Sequence, residues 1–148
     1  MSGEAVFVDE IVVPADAIDG NGHVNNVAFV GWMQEVATRH FESVGCGAAM
    51  REAGATWVVR SHHVEYLGPA FAGERLRVLT WIVDFGRARS LRRYRFSRSP
   101  DGKLLVRGET DWVFVNAETG RPCSIPEAIR RAFVVLPGDP GPEIVPGK

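Results

Sequence analysis

The sequence predicts an α+β fold in which one long helix packs on an antiparallel sheet, each burying its apolar face against the other. Three observations point there. A single long stretch, about residues 26–44, repeats apolar residues at spacings of three and four; four later runs read as strands; short turns join the last three of those runs. With 148 residues, 45% of them hydrophobic, the chain is about one domain's worth. A chain of that length buries roughly two thirds of its unfolded surface.

From Ala5 to Val13 the residues Val6, Phe7, Val8, Ile11, Val12 and Val13 make a first strand, which Pro14 ends. A loop rich in Asp, Asn and Gly follows from Asp16 to Gly22. The helix then presents Val30, Met33, Ala37, Phe41 and Val44 as one buried stripe. Asn25 or Asn26 can cap its start through a side-chain oxygen, and Gly45 and Gly47 are stop signals. A short helical piece is expected at Ala48 to Glu52.

The runs Thr56 to Tyr66, Glu74 to Phe85, Arg87 to Arg98 and Lys103 to Asn116 are bounded by Gly, Pro or Asp and read as four more strands. In the last, Leu104, Val106, Thr110, Trp112 and Phe114 share one parity, and Lys103, Arg107, Glu109 and Asp111 the other. One sheet face is therefore buried and one wet. Phe85-Gly86-Arg87 and Pro100-Asp101-Gly102 are short enough for hairpins, and a meander is the simplest topology. Ser124-Ile125-Pro126-Glu127 reads as a helix start, with Ser124 as cap and Glu127 as capping-box acid, the helix ending near Phe133. Residues 1–136 are expected to form a single domain. Residues 137–148, with four prolines and three glycines, are expected to be an extended or disordered tail.

The net charge of -1 and pI near 6.4 give no general attraction to nucleic acid. Cys46 and Cys123 form neither a disulfide framework nor a metal spacing. Met1 to Asp9 lack the basic and apolar stretches of a secretory signal, and no run is long enough to span a membrane. A reducing cytoplasm is the expected location, with no membrane partner. His62 and His63, adjacent on a strand, point to opposite faces and His40 is distant, so no metal site is expected. Arg75, Arg77, Arg87, Arg89, Arg92, Arg93, Arg95 and Arg98 crowd two strands and a turn. They read as a solvated sheet face, with Arg87, Arg89 and Ser90 as the exceptions that can meet phosphates.

Asp19, Asn21 and His23 alternate in the loop that leads into the helix start. Free amides and the helix dipole there can polarise a carbonyl oxygen, and a carboxylate beside an imidazole supplies base or nucleophile and acid. Ordinary turn and cap roles also suit Asp19, Asn21 and Asn25.

The whole string Asp19-x-Asn21-x-His23-Val24-Asn25-Asn26, followed by Phe29, Gly31-Trp32 and Glu35, closely resembles the hotdog-fold thioesterases, especially the plant acyl-carrier-protein thioesterases and their bacterial relatives. The resemblance implies a hotdog fold, a long central helix wrapped by a five-stranded antiparallel sheet, and hydrolysis of an acyl-CoA or acyl-carrier-protein thioester with no metal or redox cofactor. It gives the catalytic roles to Asp19, Asn21 and His23, with Glu65 completing the network and the Asn26 amide polarising the carbonyl. Tyr66 stands where some family members have a cysteine, so a cysteine nucleophile is not supported. Phe29 and Trp32 are expected to line the acyl pocket, and Arg87, Arg89 and Ser90 to approach the coenzyme. Family subunits pair so that their sheets join, which implies a homodimer or a dimer-based homotetramer. Two alternatives stand beside hydrolysis: a hotdog dehydratase or hydratase, and a non-catalytic acyl-thioester binding module.

Overall fold

The computed structural model describes residues 4–140. Strand β1 (Phe7–Val12) leads through a short 3-10 turn (Ala15–Ala17) to helix α1 (Asn26–Ser43) and helix α2 (Gly47–Glu52). Strands β2 (Ala55–Tyr66), β3 (Arg75–Phe85), β4 (Arg89–Arg98) and β5 (Leu104–Asn116) follow, then helix α3 (Glu127–Ala132). All strands pair antiparallel in one five-stranded sheet, with α1 laid across one face.

The order across the sheet is β1-β3-β4-β5-β2. Only β3, β4 and β5 form the expected meander; β2 crosses to the far edge and pairs along its length with β5. The tight-turn signals lie in the β3–β4 and β4–β5 connections alone. The β2–β3 connection passes the start of α1, where the Val24 N–H donates to Ala70 O at 2.8 Å. A loop that long does not oblige its strands to be neighbours.

Helix α1 seats Phe29, Met33, Val36 and Ala37 on the sheet, against Val78, Tyr94, Phe96 and Val106. Burying each large side chain contributes about 1.5–3 kcal/mol. The approach is close because β5 has no side chain at Gly108: a β-carbon there would lie 2.8 Å from Met33 Sδ. Beneath the other half of α1, Phe41, Ile82, Phe114, Ile129 and Phe133 form a second cluster that includes α3.

The cap of α1 is Asn25, whose Oδ1 accepts the Val27 N–H at 2.8 Å. At α3 the N-cap is Pro126, with no side-chain cap bond, so Ser124 does not act as predicted. Residues 137–140, expected to belong to a loose tail, are tied to the outer sheet face. The Leu136 N–H donates to Ile82 O, Arg93 pairs with Asp139, and Arg95 donates to Pro140 O at 2.6 Å. The remainder of that segment lies outside the described residues. No described helix is long and apolar enough to cross a membrane.

Replacing Asn25 with Ala is expected to lower stability by about 0.5–2 kcal/mol, while Asn25→Asp keeps the cap. Urea unfolding midpoints of the two variants check this.

Candidate active site

The loop before α1 folds back on itself. Ile18 and Val24 form an antiparallel bridge, and the Asp19 N–H donates to His23 O at 2.9 Å. Asp19 and His23 are thus cross-strand neighbours, so their side chains leave the same side of the ribbon. Inside the turn, Asp19 Oδ1 accepts the Asn21 N–H at 2.9 Å, and Gly22 takes a φ of 86° that a side chain would strain. The ribbon is stitched to its surroundings by Asn25 N–H to Ala17 O and Val24 N–H to Ala70 O, both 2.8 Å.

Asn26 opens α1. Among the described residues its N–H has no acceptor, because the Asn25 side chain caps the next amide. Tyr66 pins this turn from β2, its hydroxyl donating to Asn26 O at 3.1 Å. Val27, Tyr66, Leu67 and Phe71 around it are exposed apolar side chains, and His23 meets the Phe71 ring edge-on at 6.3 Å.

Glu65 does not join this group. On β2 the residues His62, Val64 and Tyr66 face α1, where His62 lies 3.4 Å from Gln34 and Tyr66 packs on Phe29. Period-2 alternation sends Glu65 to the other face. There it is paired across the strands with Arg107, which donates to Glu65 Oε1 from Nε (2.9 Å) and Nη2 (2.6 Å). Tyr66 is the β2 residue that meets the helix start; its parity with Val64 was the available signal.

Phe29 is core, only 2% exposed and edge-on to Trp32, Tyr66 and Phe96, so it fills space rather than lining a pocket. Trp32 packs half-buried beside it. Arg87 and Arg89 lie around a surface depression at the β3–β4 turn, together with Arg60, and Arg89 is held by Asp111 at 2.8 Å. Ser90 is separated from them: it is buried on the α1 side and donates to Asp84 O.

One arginine departs from the expected solvated face. Ser90, Arg92, Tyr94 and Phe96 alternate toward α1, which buries Arg92 to 4% exposure. Its Nη1 donates to Thr80 Oγ1 at 3.0 Å and lies 2.9 Å from His40 Nδ1. Burial lowers the guanidinium to about 10, still charged at neutral pH. Burial first and Arg92 second hold His40 down at about 3, so the ring is neutral and its Nδ1 accepts. Among the described residues, no group of three or more His, Cys, Asp or Glu is placed to hold a metal ion.

A model of the family described as the thioesterase-like superfamily matches residues 12–133. The chain belongs to the thioesterase-like superfamily. It is 33% identical over 122 residues, 82% of its length, to the L-carnitine dehydrogenase/betainyl-CoA thioesterase of Ruegeria pomeroyi, and covers 24% of that protein. It is 26% identical over 138 residues to oleoyl-acyl carrier protein thioesterase 1 of Arabidopsis thaliana, covering 88% of this chain and 38% of the relative. The chain therefore spans well under half the length of these curated relatives. Its fold matches a 1,4-dihydroxy-2-naphthoyl-CoA thioesterase from Synechocystis with a TM-score of 0.79 at 22% identity, over 86% of this chain and 95% of that one. The fold is the hotdog fold, as the loop motif implied.

His40 makes stability depend on pH. Its folded value lies below the ordinary 6.5, so between about pH 6.5 and 3 the unfolded chain binds a proton that the folded chain refuses. The stabilisation is present above pH 6.5 and lost as pH falls. Within that window the wild type is expected to lose up to about 1.4 kcal/mol per pH unit more than His40→Gln. Denaturant titrations at pH 7 and pH 4.5 measure the difference.

Proposed function

We propose that this chain hydrolyses acyl thioesters of coenzyme A or acyl-carrier protein at the loop preceding α1. The observation that carries this reading is the unoccupied Asn26 amide beside the Asp19–His23 ribbon. Asp19 takes a proton from a water that attacks the carbonyl carbon, or attacks that carbon itself to give a mixed anhydride that water then hydrolyses. As the new C–O bond forms, the carbonyl oxygen gains charge opposite the Asn26 N–H. Collapse breaks the C–S bond, the thiolate leaves, and His23 assists that departure while Asn21 orients Asp19 or water. One preorganised amide of this kind typically contributes about 2.7–4 kcal/mol to the transition state. The relatives, which include a betainyl-CoA and an oleoyl-acyl carrier protein thioesterase, support the reaction class. Glu65, turned to the opposite sheet face in one chain, is not given a role at that site. Arg87 and Arg89, with Arg60, are the proposed phosphate contacts of the coenzyme, since guanidinium groups match phosphate oxygens.

A second copy is proposed to pair along β2. This strand is an edge of 12 residues, with Val58 exposed and Tyr66 and Leu67 exposed at its end. Such an edge is a template for strand pairing. Tyr66 touches the start of α1 while Trp57 packs on Phe41 near its end, so α1 and β2 run in opposite directions. A two-fold axis through the middle of β2 brings the catalytic loop of one copy to the Trp57 end of the other. A dimer, or a tetramer of such dimers, follows. The free thiols Cys46 and Cys123 suit the cytoplasm, the proposed location.

With an acyl-CoA panel and free-thiol detection, the wild type is expected to release thiol. Asp19→Asn should lose at least about 100-fold in kcat, the size of a general-base contribution. Equal rates for the two proteins would overturn the mechanism, and an altered acyl chain without thiol release would indicate a hydratase. Sedimentation equilibrium is expected to give an even multiple of 16.2 kDa, reduced toward the monomer in Val58→Lys.

A further inference from the structure

A cavity away from the helix start has no part in the proposed reaction. It lies between the second half of α1, α2 and the sheet, has a volume of about 240 Å³, and is walled by Phe41, Trp57, Trp112 and Phe133, with Ser90 and Arg92 as its polar floor. Such a chamber suits an acyl chain, except for the cation. Arg92 is buried with only neutral partners, Thr80 and His40, and among the described residues no carboxylate pairs with it. Removing an ion from water without a counter-charge is costly. Trp57, on the same wall, carries a second such donor: its Nε1–H is buried and, among the described residues, has no acceptor. At the mouth Glu42 and Arg51 carry opposite charges, so the rim offers neither sign a net attraction.

A buried guanidinium and an indole N–H on one aromatic chamber describe what is missing, an oxyanion carried on an apolar stem. We propose that the cavity takes the far end of the acyl group and that this end is a carboxylate, so that the preferred substrates are mono-thioesters of dicarboxylic acids. The proposal deepens the thioesterase reading and rests on it. It also uses the β2 pairing: Trp57 stands near the start of β2 and Tyr66 at its end, so in a two-fold pair the cavity of one copy adjoins the catalytic loop of the other. Within one chain the route is long. Asn26 and Phe41 are fifteen residues apart on α1, roughly 22 Å at 1.5 Å per residue.

The test compares glutaryl-, adipoyl- and suberoyl-CoA with pentanoyl-, hexanoyl- and octanoyl-CoA, each acid-ended thioester against the methyl-ended one of equal length. At the best length the wild type is expected to favour the acid end by at least about tenfold in kcat/KM. That ratio should fall roughly tenfold or more in Arg92→Met, and a few-fold in Trp57→Phe, which removes one N–H and keeps the ring. Calorimetry with free glutarate, adipate and suberate gives an independent reading, expected to show binding to the wild type that weakens in both variants. Trp57→Phe keeps the test decisive if Arg92→Met does not fold. Dicarboxylate binding that depends on Trp57 or Arg92, without hydrolysis of any thioester, would sustain the anion site and sink the thioesterase reading. Hydrolysis that favours methyl ends or ignores the end group overturns the carboxylate proposal and leaves the thioesterase reading standing. Absence of both hydrolysis and binding overturns both.

Discussion

The seat of Met33 against the bare backbone of Gly108 is the contact on which the rest of the architecture depends. With no β-carbon at that point of β5, the helix comes down to the strand and its apolar stripe closes over Tyr94, Phe96 and Val106. That approach sets where the helix begins and ends over the sheet. Its first turn comes within reach of the Tyr66 hydroxyl at the end of β2, while its last turns lie over the start of the same strand. A larger residue at 108 would lift the helix and open both connections, because a close-packed interior has little slack to absorb the added volume.

The two ends of the helix then do different physical work. At the start, a capped but incompletely paired turn meets a ribbon that holds a carboxylate and an imidazole side by side, near solvent and ringed by exposed apolar groups. Toward the other end, a charged guanidinium is enclosed with neutral hydrogen-bond partners and an aromatic wall. The first is a place where charge can develop and leave; the second is a place where charge is already fixed. On the outer sheet face, by contrast, Arg93 and Arg107 are matched to Glu109 and Glu65, each with its charge near water. Exposed pairs of that kind add little to stability. Arg93 stands one residue from Arg92 on β4, so alternation sends the same residue type to opposite faces of the sheet.

Much of this was legible in the chain. The three-and-four spacing of α1, the Asx cap before it, the hairpin glycines and the alternation in β5 are local signals, and the elements stand within a residue or two of where those signals put them. The Asp19-to-Asn26 string was equally local, since a ribbon turn and a helix cap are made by residues close in sequence. Other expectations turned on geometry that local signals do not carry. Glu65 was matched by position in a motif, and the strand's register turns it away from the helix. Phe29 was read as lining a pocket because it stands near the motif, and packing made it core. Ser124 was read as a cap, and its side chain makes no such bond.

By itself the sequence determined the class of fold, the identity and order of its elements, and the loop whose residues resemble those of acyl thioesterases. These depend on steric and hydrogen-bonding preferences that act over a few residues. Only the tertiary structure decided that β2 lies at the edge beside β5, that Tyr66 rather than Glu65 meets the helix start, and that Arg92 is buried beside Phe133 and His40. Each of these depends on which distant segment packs against which face. That choice is made by the summed burial of the whole core, and no short stretch of sequence contains it.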